Sequence, residues 1–100
     1  MEIYPNLSGN DRYDTEFITA AGSGIEEAFE QLMNKYKFAI YFMVLKMVNN
    51  RADAEKLTIG AFGKAFSNIH HYDPQFSFST WLYRIAYCHV TDHLEEKKNN

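Results

Sequence analysis

The chain contains few of the residues that characterise crosslinked, β-rich or strongly basic proteins. Its 100 residues include one cysteine, Cys88, so an internal disulfide is excluded. Two prolines and five glycines are too few for an all-β fold with its many turns. The formal net charge of -3 lacks the basic excess that most nucleic-acid-binding domains carry. Any contact with a nucleic acid must therefore be local or supported by a partner.

The chain also shows no segment typical of export or membrane insertion. The N-terminus has no basic stretch followed by an apolar run, so no signal peptide is indicated. The most apolar stretch, residues 38–48, is interrupted by Lys46 and is shorter than the ~20 residues that span a membrane. We therefore expect a cytoplasmic protein without membrane insertion.

The sequence does contain helical periodicity and enough apolar residues, 46% of the chain, for one core. Residues 1–10 are expected to be a flexible lead-in, and residues 11–98 one domain. Apolar residues recur at helical spacing in four segments, residues 11–21, 25–48, 51–69 and 78–94. The predicted fold class is all-α, a compact bundle of three main helices plus a short N-terminal helix.

Polar residues mark the start of each main helix. Ser23 and Glu26 form a Ser-x-x-Glu capping box ahead of the segment 25–48. Asn50 is suited to the N-cap of the next helix, and Ser77 or Ser79 to that of the last. The loop between these two helices is expected over residues 68–77.

Two glycines, Gly60 and Gly63, lie inside the segment 51–69 and each weaken a helix by roughly 1 kcal/mol relative to alanine. They predict close packing of that helix against a neighbour, either inside the domain or outside it. The residues expected to face the core are Ile25, Ala28, Phe29, Leu32, Met33, Tyr36, Ala39, Ile40, Met43 and Met47 in the first main helix, and Ala54, Leu57, Ala61, Phe62, Ala65, Phe66 and Ile69 in the second.

The last helical segment has two contrasting faces. Its apolar stripe comprises Phe78, Trp81, Leu82, Ile85, Ala86 and His89, with Leu94 further along. The opposite face carries Tyr83, Arg84, Tyr87 and Cys88. Cations that follow a phosphate backbone and aromatic rings that stack on bases are what single-stranded nucleic-acid binding requires. This face is therefore a candidate binding surface.

The sequence Phe-Ser-Thr-Trp-Leu-Tyr-Arg-Ile-Ala at positions 78–86, followed by Asp92, resembles the promoter-reading segment of bacterial RNA polymerase sigma factors. The resemblance is to the region 2 domain of the extracytoplasmic-function (ECF) group. Residues 28–32 resemble the first conserved helix of that group, residues 53–66 the second, and the loop containing Tyr72 its specificity loop. The matching blocks occur in the family order from Ser23 to Lys98.

The resemblance implies two binding surfaces. In the family, the second conserved helix grips the clamp helices of the largest subunit of core RNA polymerase. The specificity loop takes up a base flipped from the minus-ten promoter element, and the last helix holds the melted non-template strand. The implied polymerase-binding residues are Asp53, Lys56, Leu57, Ile59, Gly60 and Gly63; the implied DNA-binding residues are His70, His71, Tyr72, Gln75, Trp81, Tyr83, Arg84, Tyr87, Cys88 and Lys98. No cofactor is implied.

Several positions depart from the family pattern. Lys56 stands where the family usually has an acid, and residues 59–60, Ile-Gly, where it usually has Gln-Glu. These changes are at polymerase-contact positions of the family, so they imply either lost or altered binding to core RNA polymerase. Cys88 replaces an asparagine, and residues 95–96, both Glu, replace cations, which weakens attraction for phosphate. The helix-turn-helix domain of the family is absent from this sequence.

Two function hypotheses follow. The first is a transcription initiation factor domain that binds core RNA polymerase and recognises the minus-ten element. The alternative is a sigma-like protein-interaction module that has lost promoter reading and binds a partner such as an anti-sigma factor. An apolar patch around Ile59 with no positive groove near Arg84 favours the module. A positive groove lined by Tyr83, Tyr87 and the Tyr72 loop favours promoter binding.

Metal binding and catalysis have weaker support in the sequence. His89, Asp92 and His93 lie on one helix, but two histidines and one acid are a thin ligand set for a metal. We therefore expect no metal site. Cys88 and His89 are adjacent on a helix and point about 100° apart, so they do not form a nucleophile and base pair. We interpret the protein as non-enzymatic.

Overall fold

The computed structural model describes residues 26–99, and the side chains of residues 26–98. The expected lead-in over residues 1–10, the short helix over residues 11–21, the capping residue Ser23 and the predicted core residue Ile25 lie outside these described residues.

Three α-helices account for most of residues 26–99. They are α1 (Glu26–Val48), α2 (Arg51–Ser67) and α3 (Phe78–Asn99), with a short 3-10 helix, Ile69–His71, after α2. Each α-helix packs against both of the others. The prediction of an all-α bundle with three main helices is confirmed.

The connection between α1 and α2 is formed by two asparagines. The N–H of Asn49 donates to the carbonyl of Leu45 at 2.7 Å, and Asn49 takes a left-handed backbone conformation with φ of 56°. Asparagine adopts this conformation more readily than most residues. The side-chain oxygen of Asn50 then accepts from the N–H of Asp53 at 2.9 Å, which confirms Asn50 as the N-cap of α2.

The other helix boundaries differ slightly from the predicted ones. α2 ends at Ser67 rather than at residue 69, because Asn68 is its C-cap and donates its backbone N–H to carbonyls of the last turn. The Asn68 side-chain amide donates to the carbonyl of Lys64 at 2.8 Å and satisfies one of the last helix carbonyls. At the start of α3, the Ser77 hydroxyl accepts from the N–H of Thr80 at 3.2 Å. Ser77 is therefore the cap, whereas Ser79 is buried in the first turn.

One hydrophobic core lies where the three helices meet. It comprises Ala28, Leu32, Tyr36, Ile40, Met43, Val44, Ala54, Leu57, Ala61, Phe62, Ala65, Ile69, Phe78, Leu82, Tyr83, Ala86 and Val90. Most of the predicted stripes are confirmed, but Val44, Tyr83 and Val90 were not predicted to face the core, and Leu94 is exposed. The buried face of α3 is wider than its apolar stripe because α3 packs against both α1 and α2.

None of the helices described between residues 26 and 99 contains an apolar stretch long enough to cross a membrane.

Candidate functional site

The loop between α2 and α3 is held in a defined conformation by hydrogen bonds. The Tyr72 hydroxyl donates to the carbonyl of Phe76 at 2.6 Å. The N–H of Phe76 donates to the carbonyl of Asp73 at 3.0 Å, and the N–H of Gln75 donates to the Asp73 carboxylate at 2.9 Å. These bonds close residues 72–76 into a compact turn. The turn presents its outward side chains from a fixed backbone.

An aromatic cluster connects this loop to the core. The ring centroid of Tyr72 lies 5.7 Å from that of Phe78 and 5.4 Å from that of Trp81. Phe78 is fully buried and its ring lies 5.6 Å from that of Tyr36 on α1. Trp81 is half-buried against the core, as its place on the apolar stripe predicted. Tyr72 and Trp81 thus fix the loop to α3 and leave only part of each ring accessible.

The predicted base-contacting residues of the loop lie on its surface. His70, His71 and Gln75 are exposed, and Tyr72 is half-buried. Phe76 had no predicted role, although it is 43% exposed in the same turn. An aromatic residue close to Tyr72 in a loop with several polar residues is the signal that could have identified Phe76.

The outer face of α3 carries an exposed aromatic and cationic surface. Arg84, Tyr87 and Cys88 are exposed, with Tyr87 at 53%. The guanidinium carbon of Arg84 lies 5.6 Å from the centroid of the Phe76 ring, within cation–π range. Arg84 therefore joins the loop to the outer face of α3. We call Phe76, Arg84 and Tyr87 the aromatic surface.

Tyr83 does not belong to that surface. The prediction that it shares the outward face with Arg84 is wrong, since its side chain is 7% exposed and lies in the core. Ser79, Tyr83, Ala86 and Val90 form a second buried stripe beside that of Phe78 and Leu82, at i, i+4, i+7 and i+11. The helix buries this second stripe because it has two neighbours rather than one.

Lys98 is exposed but lies far from the loop. Fourteen residues separate it from Arg84 along α3, which corresponds to ~21 Å at the rise of an α-helix. Glu95 is exposed one turn before Lys98. The two cations therefore do not form one continuous positive groove.

The predicted polymerase-binding residues divide into two groups. Lys56, Ile59 and Gly63 lie together on the outward face of α2, and Ile59 is 70% exposed. Leu57 is buried in the core, so its placement on a contact surface is corrected: its side chain holds α2 to the bundle. The other two residues, Asp53 and Gly60, face α3.

Asp53 and Gly60 contact α3 at two points. The carboxylate of Asp53 lies 3.4 Å from the Lys97 ammonium, a solvent-exposed pair of small energetic value. Gly60 is half-buried, and a Cβ atom placed on it would lie 2.5 Å from Nε2 of His89. The predicted close packing of a glycine is confirmed for Gly60. Gly63 has nothing within 4 Å of such an atom, so it packs against no part of the described chain, and close packing against a partner stays a prediction there.

An apolar groove lies beside Ile59, between α1 and α2. Its volume is about 540 Å³, and its lining residues are Met33, Lys37, Phe38, Tyr41, Phe42, Glu55, Thr58, Ile59 and Phe62. Phe38 and Phe42 are exposed on the α1 side, opposite Ile59 on the α2 side. An apolar patch around Ile59 was one of the two features named as favouring the interaction module, and this groove is such a patch.

His89 is held between α3 and α2. Burial lowers the pKa of its imidazole, and the nearby Lys64 of α2 and His93 of α3 lower the pKa further, whereas Asp92 and Glu96 raise it. Nδ1 of His89 and Nε2 of His93 are buried without a hydrogen-bond partner. Within the part of the chain that the structure describes, no three His, Cys, Asp or Glu side chains converge on a common point as metal ligands.

Comparison with known proteins places this architecture in a recognised class. The fold is similar to a solved NMR structure of an engineered region 2 of sigmaE in complex with GTAAAA, with a TM-score of 0.79 and 28% identity, over 85% of this chain and 88% of that one. The described helices thus define a sigma-type region 2 domain. Residues 32–99 match the family model of Sigma-70 region 2, and the chain belongs to this family.

Curated relatives are ECF and related sigma factors. The chain is 39% identical over 75 residues to the ECF RNA polymerase sigma factor SigW of Bacillus subtilis, covering 75% of this chain and 40% of SigW. It is 30% identical over 81 residues to the RNA polymerase sigma-H factor of Pseudomonas aeruginosa, covering 81% of this chain and 42% of that factor. It is 31% identical over 84 residues to the ECF sigma factor BldN of Streptomyces coelicolor, covering 83% and 32%. The chain therefore spans less than half of the length of these relatives.

Proposed function

We propose that this chain binds core RNA polymerase through the outward face of α2 and holds the non-template strand of a promoter minus-ten element on the 68–77 loop and α3. The observation that carries the proposal is the similarity to an engineered region 2 of sigmaE in complex with GTAAAA. The sigma-factor relatives, named for RNA polymerase, support the same role.

The DNA-binding half of the proposal is supported by the geometry of the loop and α3. The turn of residues 72–76 is fixed by hydrogen bonds, and the exposed His70, His71 and Gln75 offer polar groups to the edge of an unpaired base. Arg84 supplies a cation for phosphate. The net charge of -3 implies that this contact is weak in the isolated domain and is strengthened on polymerase.

The polymerase-binding half is supported by the exposure of Ile59. An isoleucine that is 70% exposed in the centre of α2, beside Lys56 and Gly63, is costly to leave in water and suited to burial against a partner. We propose the clamp helices of the largest polymerase subunit as that partner. Ile59 would contribute apolar contact area where relatives of the family use polar residues.

A second candidate function is a protein-interaction module that binds an amphipathic helix of an anti-sigma factor. The observation in its favour is the apolar groove between α1 and α2, where Phe38 and Phe42 face Ile59. Helix-in-groove recognition uses apolar side chains at helical spacing on such a surface. Ile59 belongs both to the groove and to the outward face of α2, whereas Phe42, on α1, belongs to the groove only. A substitution of Phe42 therefore affects the groove without changing the outward face of α2.

The test is competition of the purified chain against a known ECF sigma factor for core RNA polymerase. Wild type is expected to compete, and Ile59→Asp is expected to lose at least about tenfold in apparent affinity, since it places a charge in an apolar contact. Leu94→Asp, at an exposed apolar position on α3, is the matched control and is expected to compete like wild type.

The Phe42→Asp variant separates the two candidates. If it competes like wild type, polymerase uses the outward face of α2 and not the groove. If wild type fails to compete at concentrations at which the known sigma factor binds, the polymerase-binding proposal is wrong. The minus-ten part of the proposal has its own test. Core RNA polymerase reconstituted with this chain is mixed with promoter DNA, and strand opening is detected by the permanganate reactivity of unpaired thymines.

A further inference from the structure

Phe76 is an exposed aromatic ring on a rigid support. Phe76 is 43% exposed, and it is outside the hydrophobic core and the residues packed against that core. Its backbone is held on both sides, by the Tyr72 hydroxyl at its carbonyl and by the Asp73 carbonyl at its N–H. Neither the fold of the core nor the closure of the turn therefore requires a phenyl group at this position.

The Phe76 ring is covered on one side by a cation. The guanidinium of Arg84, on the second turn of α3, lies 5.6 Å from its centroid. A cation at this distance is attracted to the ring face and restricts the orientation of both side chains. Arg84 is itself exposed, so its N–H groups are available to an acceptor such as phosphate.

The neighbours of Phe76 complete a surface with the chemistry of single-stranded nucleic acid. Gln75 is exposed beside it and carries an amide that donates and accepts hydrogen bonds. Tyr87, 53% exposed, lies one helical turn beyond Arg84. Exposed flat rings next to a cation are the arrangement by which proteins stack unpaired bases and hold the adjacent phosphate.

We infer that Phe76 stacks an unpaired base of single-stranded DNA, with Arg84 holding the phosphate next to that base. The aromatic surface would bind this base in addition to the base whose edge is offered polar groups by His70, His71 and Gln75. This inference rests on the DNA-binding half of the proposed function. Phe76 is not among the residues to which the family resemblance gave a DNA-binding role.

The test is titration of the isotope-labelled chain with single-stranded hexamers, followed by NMR chemical shifts. The probes are GTAAAA and the homopolymers of deoxyadenosine, deoxycytidine and thymidine, each prepared intact and with one abasic site at each position in turn. We expect one abasic position to weaken binding of the wild type by about 5- to 150-fold, the range that corresponds to the roughly 1–3 kcal/mol of one stacked base.

Three variants isolate the ring. Phe76→Ala is expected to lose about the same factor with intact DNA and to become insensitive to that abasic position, because the base then has no partner. Phe76→Trp is expected to bind at least as well as wild type. Phe38→Ala, which removes an exposed phenyl group from the apolar groove, is the matched control and is expected to bind DNA like wild type.

The outcomes also separate this inference from the proposed function. If Arg84→Ala weakens DNA binding while Phe76→Ala does not, the stacking role of Phe76 is wrong and the DNA-binding surface stands. If Phe76→Ala loses affinity but keeps the wild-type sensitivity to every abasic position, Phe76 does not stack a base. If the wild type shows no shift with any hexamer at millimolar concentration, both this inference and the DNA-binding half fail, while competition for polymerase is unaffected.

Discussion

The imidazole of His89 on α3 lies directly against Gly60 on α2. A Cβ atom on Gly60 would be 2.5 Å from Nε2, 3.2 Å from Cε1 and 3.4 Å from Cδ2 of this ring. The first of these distances is shorter than any ordinary van der Waals contact, so only glycine fits while His89 keeps its position. The pair explains how a helix with two glycines packs closely at one of them.

Replacement of Gly60 or Gly63 by alanine should therefore change the stability of the fold differently. Gly63→Ala adds a methyl group in open space and should raise the free energy of unfolding by about 1 kcal/mol through helix propensity. Gly60→Ala has the same propensity gain but must displace His89, and overpacking of this kind costs about 1–3 kcal/mol. We expect Gly60→Ala to be no more stable than wild type and clearly less stable than Gly63→Ala, measured by urea unfolding.

The double variant Gly60→Ala/His89→Ala tests the cause. Removal of the imidazole should restore the propensity gain, so that Gly60→Ala becomes stabilising in the His89→Ala background. Equal effects of Gly60→Ala in both backgrounds would show that His89 does not limit the space at Gly60.

The lowered pKa of His89 predicts that acid weakens the fold. Because folding lowers this pKa, the unfolded chain binds a proton at a higher pH than the folded chain does. The contribution of His89 to stability is therefore fully present above the ordinary histidine pKa of about 6.5. It is lost progressively as the pH falls through that value towards the folded-state pKa.

Urea unfolding of wild type and His89→Gln between about pH 7.5 and about pH 5 measures this contribution. The midpoint of His89→Gln should fall less steeply with decreasing pH than that of wild type. His70→Gln, at an exposed position in the 3-10 helix, is the control and should keep the wild-type slope. An identical slope for wild type and His89→Gln would contradict the prediction.

Truncation of the two tyrosines of α3 should affect different properties: stability for Tyr83 and DNA affinity for Tyr87. Tyr83→Ala removes a ring from the core and should lower the free energy of unfolding by roughly 3–5 kcal/mol. Tyr87→Ala removes an exposed ring and should change it by no more than about 0.5 kcal/mol. In the DNA titration, Tyr87→Ala should weaken binding while the spectrum of the free variant remains that of a folded protein.

Thermal unfolding followed by circular dichroism measures the stability of the two variants. The NMR titration with single-stranded hexamers measures the DNA affinity of Tyr87→Ala. A Tyr83→Ala variant as stable as wild type would show that this ring does not pack as the structure has it. A stable Tyr87→Ala variant with unchanged DNA affinity would remove Tyr87 from the aromatic surface.

Much of the fold was predictable because local rules act within each helix. Asn50 accepts the backbone N–H three residues ahead, as its residue type and position predicted. For α3 the sequence offered Ser77 or Ser79, and the structure has Ser77 as the cap. The end of α2 was placed two residues too late, because the apolar Ile69 continues the stripe, although Asn68 ends the helix and the chain turns into a 3-10 helix.

The candidate site was only partly predictable. The sequence indicated the loop and Arg84, but it placed Tyr83 on the outward face and gave Phe76 no role. Both differences depend on neighbours distant in sequence. Tyr83 is buried because α3 contacts two helices, and Phe76 gains its cation only when the loop folds back to bring it to Arg84.

The sequence by itself determined the three main helical segments, the N-cap of α2, the order of the helices and the membership of the chain in the Sigma-70 region 2 family. These properties follow from local spacing and from residue patterns that are read along one chain. The tertiary structure alone decided which face of α3 is buried, which of the two glycines is covered and which aromatic rings remain in water. Burial is a relation between helices, and the periodicity of one helix does not specify how many neighbours will cover it.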